Sequence, residues 1–301
     1  MNTMKTFTQI DEIETPNKQL AAKKSTLVSV FVNSILSFIQ VVVGFLAGSQ
    51  GLIADGIHSL TDLFSDFIVL LANHYGNKEA DDSHHYGHHK YETAASLFIG
   101  ISLLLVGIGM LWSAGHKILY PLAMGQIQTI ALWVAIFALI SKELLFRYML
   151  TVAKKVRSSM LIANAWHARS DAASSLIVTL GIIGALLGYP ILDVIGALIV
   201  GLMIIKTGWK FSWDAFHDLM DKSASKEEHE KIAAIIRATK GVKGLHDLRT
   251  RRMGDMILVD VHIEVDGKLS VEKGHQISLD ARNRVMKALP VLNLMTHLDP
   301  V

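Results

Sequence analysis

The chain has 301 residues, of which 51% are hydrophobic and only 19% charged, whereas soluble domains usually carry about 25% charged residues. Its formal net charge of +2 at pH 7 excludes a strongly basic nucleic-acid-binding protein. The absence of Cys excludes disulfides, thiolate catalysis and sulfur-ligated metal sites. Any metal must therefore be held by nitrogen and oxygen, and the 14 His residues are the main candidates.

The first two thirds of the chain predict a membrane domain. Residues 1–25 are polar and lack the order of a cleaved signal peptide, so they are predicted to form a cytosolic tail. Six apolar stretches, each at least as long as the roughly 20 residues needed to cross a bilayer, follow over residues 26–47, 52–76, 92–117, 126–150, 160–188 and 191–212. Lys and Arg concentrate in two links between them, a feature of cytoplasmic loops. Both termini are therefore predicted to face the cytosol. The compact build of the chain fits a bacterial inner membrane, which is the expected location.

The last third, residues 213–301, has the pattern of a soluble domain. Residues 226–239 and 270–289 predict helices, and residues 248–252, 256–265 and 291–298 predict strands. This αββαβ order indicates a small open sheet with helices on one face. The predicted fold class is an α-helical membrane protein with six transmembrane helices, followed by a small α/β cytoplasmic domain.

Two of the predicted spans carry ionisable side chains, which are costly in a bilayer and mark functional paths. His58 and Asp62 are four residues apart in the second span, and His167 and Asp171 have the same spacing in the fifth. Each helix thus places an imidazole and a carboxylate on one face. Facing each other, the two helices would supply four ligands, the number taken by tetrahedral zinc. The alternative is that these groups only join helices through hydrogen bonds.

Other polar residues of the spans have simpler interpretations. Ser174 and Ser175 share the ligand face of the fifth span and are interpreted as partners of the ligands or a path for water. Lys142 and Arg147 lie near the end of the fourth span, where long basic side chains are expected to reach the membrane interface.

Two further groups of metal-ligating residues lie outside the spans. Asp81, His84 and His88 could form a site in the charged link after the second span, although a solvated loop can carry such residues without metal. The soluble part contains a dispersed set, in which single residues are more often structural than ligating: His246, His262, His275, His297 and Asp299.

Several segments in combination resemble the cation diffusion facilitator family, and in particular its bacterial zinc/proton antiporter branch, the ferrous-iron efflux proteins. The similar segments are Leu52-Ile53-Ala54-Asp55 running into His58-x-x-x-Asp62, Tyr86-Gly87-His88-His89-Lys90-x-Glu92, His167-x-x-x-Asp171, His246-Asp247-Leu248-Arg249-Thr250-Arg251 and His297-Leu298-Asp299-Pro300. The resemblance covers nearly the whole chain after the tail.

This resemblance implies a homodimeric metal/proton antiporter with a metallochaperone-like cytoplasmic domain. It assigns the transport site to His58, Asp62, His167 and Asp171, and a loop site to Asp81, His84 and His88. It assigns a dimer-stabilising, two-metal site to His246, His262, His275, His297 and Asp299, and an interlock at the dimer interface to Lys90 and Asp221. In that branch the ligand pair of the second helix is Asp-x-x-x-Asp. The imidazole of His58 departs from it and favours zinc over manganese or magnesium.

The sequence therefore predicts a zinc transporter that removes the metal from the cytosol in exchange for protons. Zn²⁺ is the predicted substrate and also a structural or regulatory ion; the predicted partners are a second copy of the chain, the lipid bilayer and protons, and no nucleic acid. Transporters of iron, manganese, cobalt or nickel are alternatives, as is a metal-binding sensor or scaffold without transport. A membrane metallohydrolase would need an open metal position and a general base, and the chain has no His-Glu-x-x-His motif, so no enzymatic activity is predicted.

Overall fold

The computed structural model of the chain describes residues 4–76, 78–120, 126–155 and 159–301. Six long helices come first: α1 (Met4–Ala47), α2 (Gln50–Gly76), α3 (Lys90–Leu119), α4 (Ile130–Lys155), α5 (Ser159–Leu186) and α6 (Ile191–Leu219). A smaller set follows: α7 (Lys226–Arg237), β1 (Gly244–Met253), β2 (Met256–Val265), α8 (Val271–Ala288) and β3 (Val291–Pro300). The chain divides into two compact units, one of Met1–Phe67 with Ser102–Gly208 and one of Ile68–Ile101 with Trp209–Val301.

The long helices reverse the usual arrangement of a soluble protein. Large apolar side chains such as Phe38 and Phe45 are 68% and 78% exposed, while Gln40, Asp55 and Lys142 are buried. An apolar outer surface is the arrangement that a hydrocarbon environment favours. In the described part of the chain, four segments are long and apolar enough to cross a membrane: Lys24–Ala47, Lys90–Leu119, Ala165–Leu186 and Ile191–Leu219. Helices α2 and α4 fall short of that composition because of their polar and ionisable side chains, so the count of six spans stays a prediction.

Two helices run further than the sequence predicts. The predicted polar tail is helical from Met4 onward and continuous with the first apolar stretch in α1. Helix α6 continues past residue 212 to Leu219. Side chains four apart on a helix are neighbours, and Trp209 stacks on Trp213 at a centroid distance of 5.9 Å, while Trp213 meets the ring of His217 at 4.7 Å. These contacts favour continuation of the helix.

The start of α2 is fixed by a residue that the sequence pattern does not single out. Asp193 of α6 accepts hydrogen bonds from the backbone N–H of Gln50 at 2.7 Å and of Gly51 at 3.2 Å, and from the hydroxyl of Ser49 at 2.6 Å. The first N–H groups of a helix have no hydrogen-bond partners inside the helix. In α2 the Asp193 carboxylate of α6 accepts from two of them. Gly51 allows this close approach, because a Cβ there would lie 2.9 Å from Asp193 Oδ1.

The small domain has the αββαβ order that the sequence predicts. Its sheet has the strand order β1-β2-β3, with β1 antiparallel and β3 parallel to β2. Alternate residues of β2, from Ile257 to Val265, pack against α7 and α8. The buried core of the domain consists of Ala224, Ile232, Ile236, Ile257, Val259, Val261, Ile263, Val265, Ala281, Val285, Val291 and Leu294. Because side chains alternate between the faces of a strand, His262 and Glu264 lie on the opposite face of the sheet.

Strand β1 begins at Gly244, earlier than the predicted residue 248. Its pairing with β2 shifts between His246 and Arg249, and the intervening Asp247 has a φ of 48°. A bulge of this kind inserts an extra residue and interrupts the alternation of side chains. Because of the bulge, the alternation of side chains does not predict the first part of the strand.

Replacing Ser225 with Ala is expected to lower the free energy of unfolding of this domain by about 1 kcal/mol. The Ser225 hydroxyl accepts from Glu228 N at 3.2 Å, and the Glu228 carboxylate accepts from Ser225 N at 2.8 Å, so the pair forms a capping box at the start of α7. Ser225 and Arg252 both hold the pKa of Glu228 below its ordinary value. The contribution of the Glu228 carboxylate to stability is thus fully present above its ordinary pKa and is lost as the pH falls through the lowered pKa. Urea unfolding of the full chain, followed by a probe in this domain, measures both effects; an unchanged midpoint at pH 7 would contradict the capping role.

Candidate metal centres

The first candidate centre lies between α2 and α5. His58 Nδ1 is 3.7 Å from Asp62 Oδ2, and His58 Nε2 is 3.9 Å from Asp171 Oδ1. One ligand atom from each of these three residues lies within 4.8 Å of the others. The i,i+4 spacing aligns His58 with Asp62 on α2, while the packing of α5 brings Asp171 to the same place.

These distances leave room for a metal ion. His58 Nδ1 is buried and has no hydrogen-bond partner among the described residues, which is costly unless a ligand satisfies it. A single ion can take only one of the two His58 nitrogens, and one ligand atom from each of the three residues lies within 4.8 Å of the others. Two ligands at 2.0–2.1 Å from a tetrahedral ion are about 3.3 Å apart. Small side-chain movements would therefore close the group around a cation.

The fourth predicted ligand stands apart from this group. His167 is exposed, and its ring is not among the atoms of the group that lie within 4.8 Å of one another. It is nevertheless close enough to interact electrostatically with Asp62, Asp66 and Asp171. The structure thus brings together three of the four predicted residues, with His167 one helical turn from Asp171.

Lys142 does not reach the interface as the sequence predicts. It is 2% exposed and donates to Asp55 Oδ1 at 3.1 Å and to Ser175 Oγ at 2.8 Å. Ser175 donates to Asp55 Oδ2 at 2.6 Å, Ser174 lies 3.2 Å from Oδ1, and Gln40 also donates to this carboxylate. A buried ion is stable only when it is paired and hydrogen-bonded. The sequence of α4 alone could not reveal this, because the partners of Lys142 come from α2 and α5 and are themselves joined to Gln40 of α1.

The second candidate centre lies in the link between α2 and α3. Asp81 Oδ1 is 3.4 Å from His84 Nδ1, and Asp81 Oδ2 is 3.5 Å from His88 Nε2. The two imidazoles are 4.4 Å apart between centroids. The segment that joins them is a turn and not a helix. Gly87 in it has a φ of 78°, and Asp81 Oδ1 accepts hydrogen bonds from the backbone N–H groups of Ser83 and His84.

Asp81→Asn is expected to weaken metal binding in this loop by about tenfold or more, since it removes the carboxylate that both imidazoles face. A hydrogen bond from Lys78 holds the pKa of Asp81 below its ordinary value, so the carboxylate stays ionised throughout the neutral range and does not limit binding there. Zinc titration of the full chain between pH 6 and 8 checks this; Asp82→Asn is the matched control. Equal affinity of both variants would contradict a role for Asp81.

The third candidate centre lies on the open face of the sheet. The pairing of strands places His246 opposite His262 and His262 opposite His297, so three residues distant in the sequence form one row. Asp299 Oδ2 lies 3.0 Å from His262 Nδ1 and 3.4 Å from His246 Nε2, and Asp299 Oδ1 is 3.4 Å from His297 Nε2. One ligand atom from each of His246, His262 and Asp299 lies within 4.8 Å of the others.

Two residues differ from the predicted composition of this centre. Glu264 lies 3.3 Å from His246 Nδ1; it was missed by sequence reasoning, although its place two residues after His262 puts it on the same face. His275 is exposed on α8, which packs on the face of the sheet opposite His262. Within one chain the structure therefore does not bring His275 to the others, and its role as a ligand stays a prediction.

The loop after α2 contacts the small domain in the second unit. Lys90 Nζ lies 3.2 Å from Asp221 Oδ1, and Arg251 Nη1 is 3.7 Å from Asp221 Oδ2. Arg251 also lies over the ring of Tyr86, 5.8 Å from its centroid. The predicted pair of Lys90 and Asp221 is thus in contact within a single chain.

Comparison with known proteins agrees with this arrangement of a helical part and a small α/β domain. The family model described as the cation efflux transmembrane domain matches residues 26–220, and the model described as the cation efflux protein cytoplasmic domain matches residues 224–301. The chain belongs to the cation diffusion facilitator family. This facilitator is therefore a multi-pass membrane transporter of divalent cations with a cytoplasmic C-terminal domain, and not an enzyme. The match to the dimer-type cytoplasmic domain supports assembly into a homodimer.

The facilitator is similar over almost its full length to named relatives. The uncharacterized transporter MJ0449 of Methanocaldococcus jannaschii is 33% identical over 93% of this chain and 98% of that protein. The manganese efflux system protein MneS of Bacillus subtilis is 32% identical over 93% of this chain and 96% of its own. Among solved structures, a nickel form of the MamM CTD is 23% identical and covers 26% of this chain and 99% of that one, with a TM-score of 0.25.

Proposed function

We propose that this facilitator exports zinc from the cytosol in exchange for protons. The observation that carries the proposal is the group of His58, Asp62 and Asp171 between the long helices α2 and α5, with an imidazole nitrogen that has no hydrogen-bond partner among the described residues. Ionisable residues inside a membrane domain are costly and by default mark a path for ions. His167 is proposed to turn toward the group and supply the fourth ligand.

The choice of zinc rests on the ligand types. Two imidazoles with two carboxylates suit a tetrahedral borderline ion, whereas manganese and magnesium prefer oxygen ligands. Manganese is the second candidate, because two of the three residues now in contact are carboxylates and MneS is named for manganese efflux. The contribution of His167 decides between them.

Proton exchange follows from the chemistry of the ligands. His58 and His167 must be neutral, and Asp62 and Asp171 ionised, before they bind a metal ion, so binding releases protons. In the proposed cycle the metal enters from the cytosol and leaves on the far side after a rocking motion of the helices. Protons entering down their gradient then reload the ligands and displace the metal.

The topology belongs to the same proposal. Helices α1 to α6 cross the membrane six times, with both termini in the cytosol and a bacterial inner membrane as the location. The loop and sheet centres then lie on the cytosolic side, where they can respond to the metal that is exported. Zinc held by His246, His262, His297 and Asp299 is proposed to stabilise the dimer.

The experiment is metal flux into proteoliposomes that contain the purified chain. Zinc uptake should increase when the lumen is made acidic relative to the outside and fall when an ionophore collapses the pH gradient. Manganese, cobalt, nickel and iron are compared at the same concentration. Zinc flux that does not change with the pH gradient would refute proton exchange. Manganese flux faster than zinc flux would indicate manganese, and not zinc, as the substrate. Bound zinc without flux of any metal would support a sensor or scaffold instead.

A further inference from the structure

The buried pair of Lys142 and Asp55 has no part in the transport cycle described above. Asp55 is 1% exposed and Lys142 2%, and neither belongs to the three candidate metal centres. Both charges lie inside a helical bundle, where an ion pair stabilises little compared with apolar packing. An ion pair retained at such a place calls for another role.

The position of this pair relative to the metal group indicates that role. Asp55 precedes His58 by one turn of α2, and Ser174 and Ser175 follow Asp171 by one turn of α5. The hydroxyls of Ser174 and Ser175 also lie 2.8 and 3.2 Å from the backbone carbonyl oxygen of Asp171. The network thus adjoins the first ligand of α2 and the only ligand that α5 gives to the group of three.

The network also joins the two ligand-bearing helices to each other. The Asp55 carboxylate of α2 accepts from Ser174 and Ser175 of α5, and Lys142 of α4 donates to both Asp55 and Ser175. The ammonium therefore links α2 and α5 about one helical turn from the metal group. A difference of a few tenths of an ångström in the spacing of these two helices matters, because ligand distances at a metal ion are defined within about 0.2 Å.

We propose that Lys142 is a positioning residue for the transported metal, which acts by holding α2 and α5 at the separation that His58, Asp62 and Asp171 require. The inference rests on the proposed function of that group as the metal site. Lys142 itself does not contact the metal. Its loss is expected to weaken metal binding about 10- to 100-fold, as is usual for residues that orient metal ligands.

The test is zinc titration of the purified full chain in detergent against a competing indicator. The sites lost in Asp171→Asn define the zinc class of the membrane group. Lys142→Met and Asp55→Asn are each expected to raise the Kd of that class at least tenfold. The double variant, Asp55→Asn with Lys142→Gln, can restore an uncharged hydrogen bond and is expected to return the Kd to within about threefold of the native value. Ser175→Ala, which leaves the ion pair in place, should give an intermediate Kd even where the charged single variants fail to fold.

The exposed pair of Arg147 and Glu143 on the same helix, at 2.8 Å, provides the matched control. Arg147→Gln is expected to leave the Kd unchanged. The positioning role would be overturned if the Kd of Lys142→Met stays within twofold of the native value, even with a lower melting temperature. If Lys142→Met does not fold, the same limit applies to the Kd of Ser175→Ala. A double variant as weak as the single ones would overturn the positioning role too, because charge and not spacing would then be decisive. Zinc flux is measured separately. Absence of flux while the Asp171-dependent zinc sites remain would refute the transport function alone. Absence of those sites would refute both the proposed metal site and the positioning role of Lys142.

Discussion

Asp171→Asn is expected to lower zinc flux in proteoliposomes by about 100-fold or more. Asp171 Oδ1 is the ligand that α5 brings to within 3.9 Å of His58, and without its charge the group retains one carboxylate. Loss of an outer partner of a metal ligand alone costs about 10- to 100-fold, so loss of a ligand should cost at least as much. Asn keeps the size of the side chain and leaves the packing of α5 intact.

Glu143→Gln is the matched control for this variant. Glu143 is a carboxylate of a long helix that pairs with Arg147 and lies outside the group of His58. Its flux should equal that of the native chain. Retention of more than a tenth of the native flux by Asp171→Asn would contradict the placement of the transport site between α2 and α5.

His167→Ala separates the two candidate metals in the same assay. If His167 turns inward as the fourth ligand, its loss should lower zinc flux about tenfold or more and affect manganese less, since manganese prefers oxygen ligands. An equal effect on both metals, or no effect, would show that the exposed position of His167 is the functional one and would favour an oxygen-rich site.

His262→Ala is expected to weaken zinc binding to the cytoplasmic centre by about 100-fold and to abolish the effect of zinc on dimerisation. The ring of His262 lies between those of His246 and His297, at centroid distances of 5.1 and 4.7 Å, and it contacts Asp299 at 3.0 Å. Its removal therefore breaks the row at the centre. A ligand change should cost at least the 10- to 100-fold typical of an outer partner. Zinc titration and sedimentation of the full chain, each in an Asp171→Asn background, measure the two effects.

His229→Ala is the control for the cytoplasmic centre. His229 lies on α7, in the helical layer that packs on the other face of the sheet, so both its zinc affinity and its dimerisation should match those of the unmodified background. His275→Ala tests the ligand that the family resemblance implies. An effect as large as that of His262→Ala would mean that His275 reaches the centre from the second copy of the chain, because within one chain it lies on α8. Zinc-dependent dimerisation that survives His262→Ala would refute the proposed role of this centre.

Local patterns in the sequence were sufficient for the type and order of the elements after the N-terminal tail, though not for all their ends, and for part of each candidate centre. Apolar stretches of spanning length located the long helices, and alternation of Val259, Val261, Ile263 and Val265 located the core face of β2, because periodicity is a property of neighbouring residues. The i,i+4 spacing placed His58 beside Asp62 for the same reason. Family motifs added the correct family, which the two domain matches confirm.

Only the tertiary structure decided which distant side chains meet. Lys142 looked like an interfacial residue along α4, but its partners Asp55 and Ser175 come from other helices. The row of His246, His262 and His297 depends on strand register, and the separation of His275 from it depends on the face of the sheet that α8 covers. The sequence alone determined the elements and the types of ligand, since both are local; burial, pairing and the membership of each centre arise from contacts between elements, which no single stretch of sequence encodes.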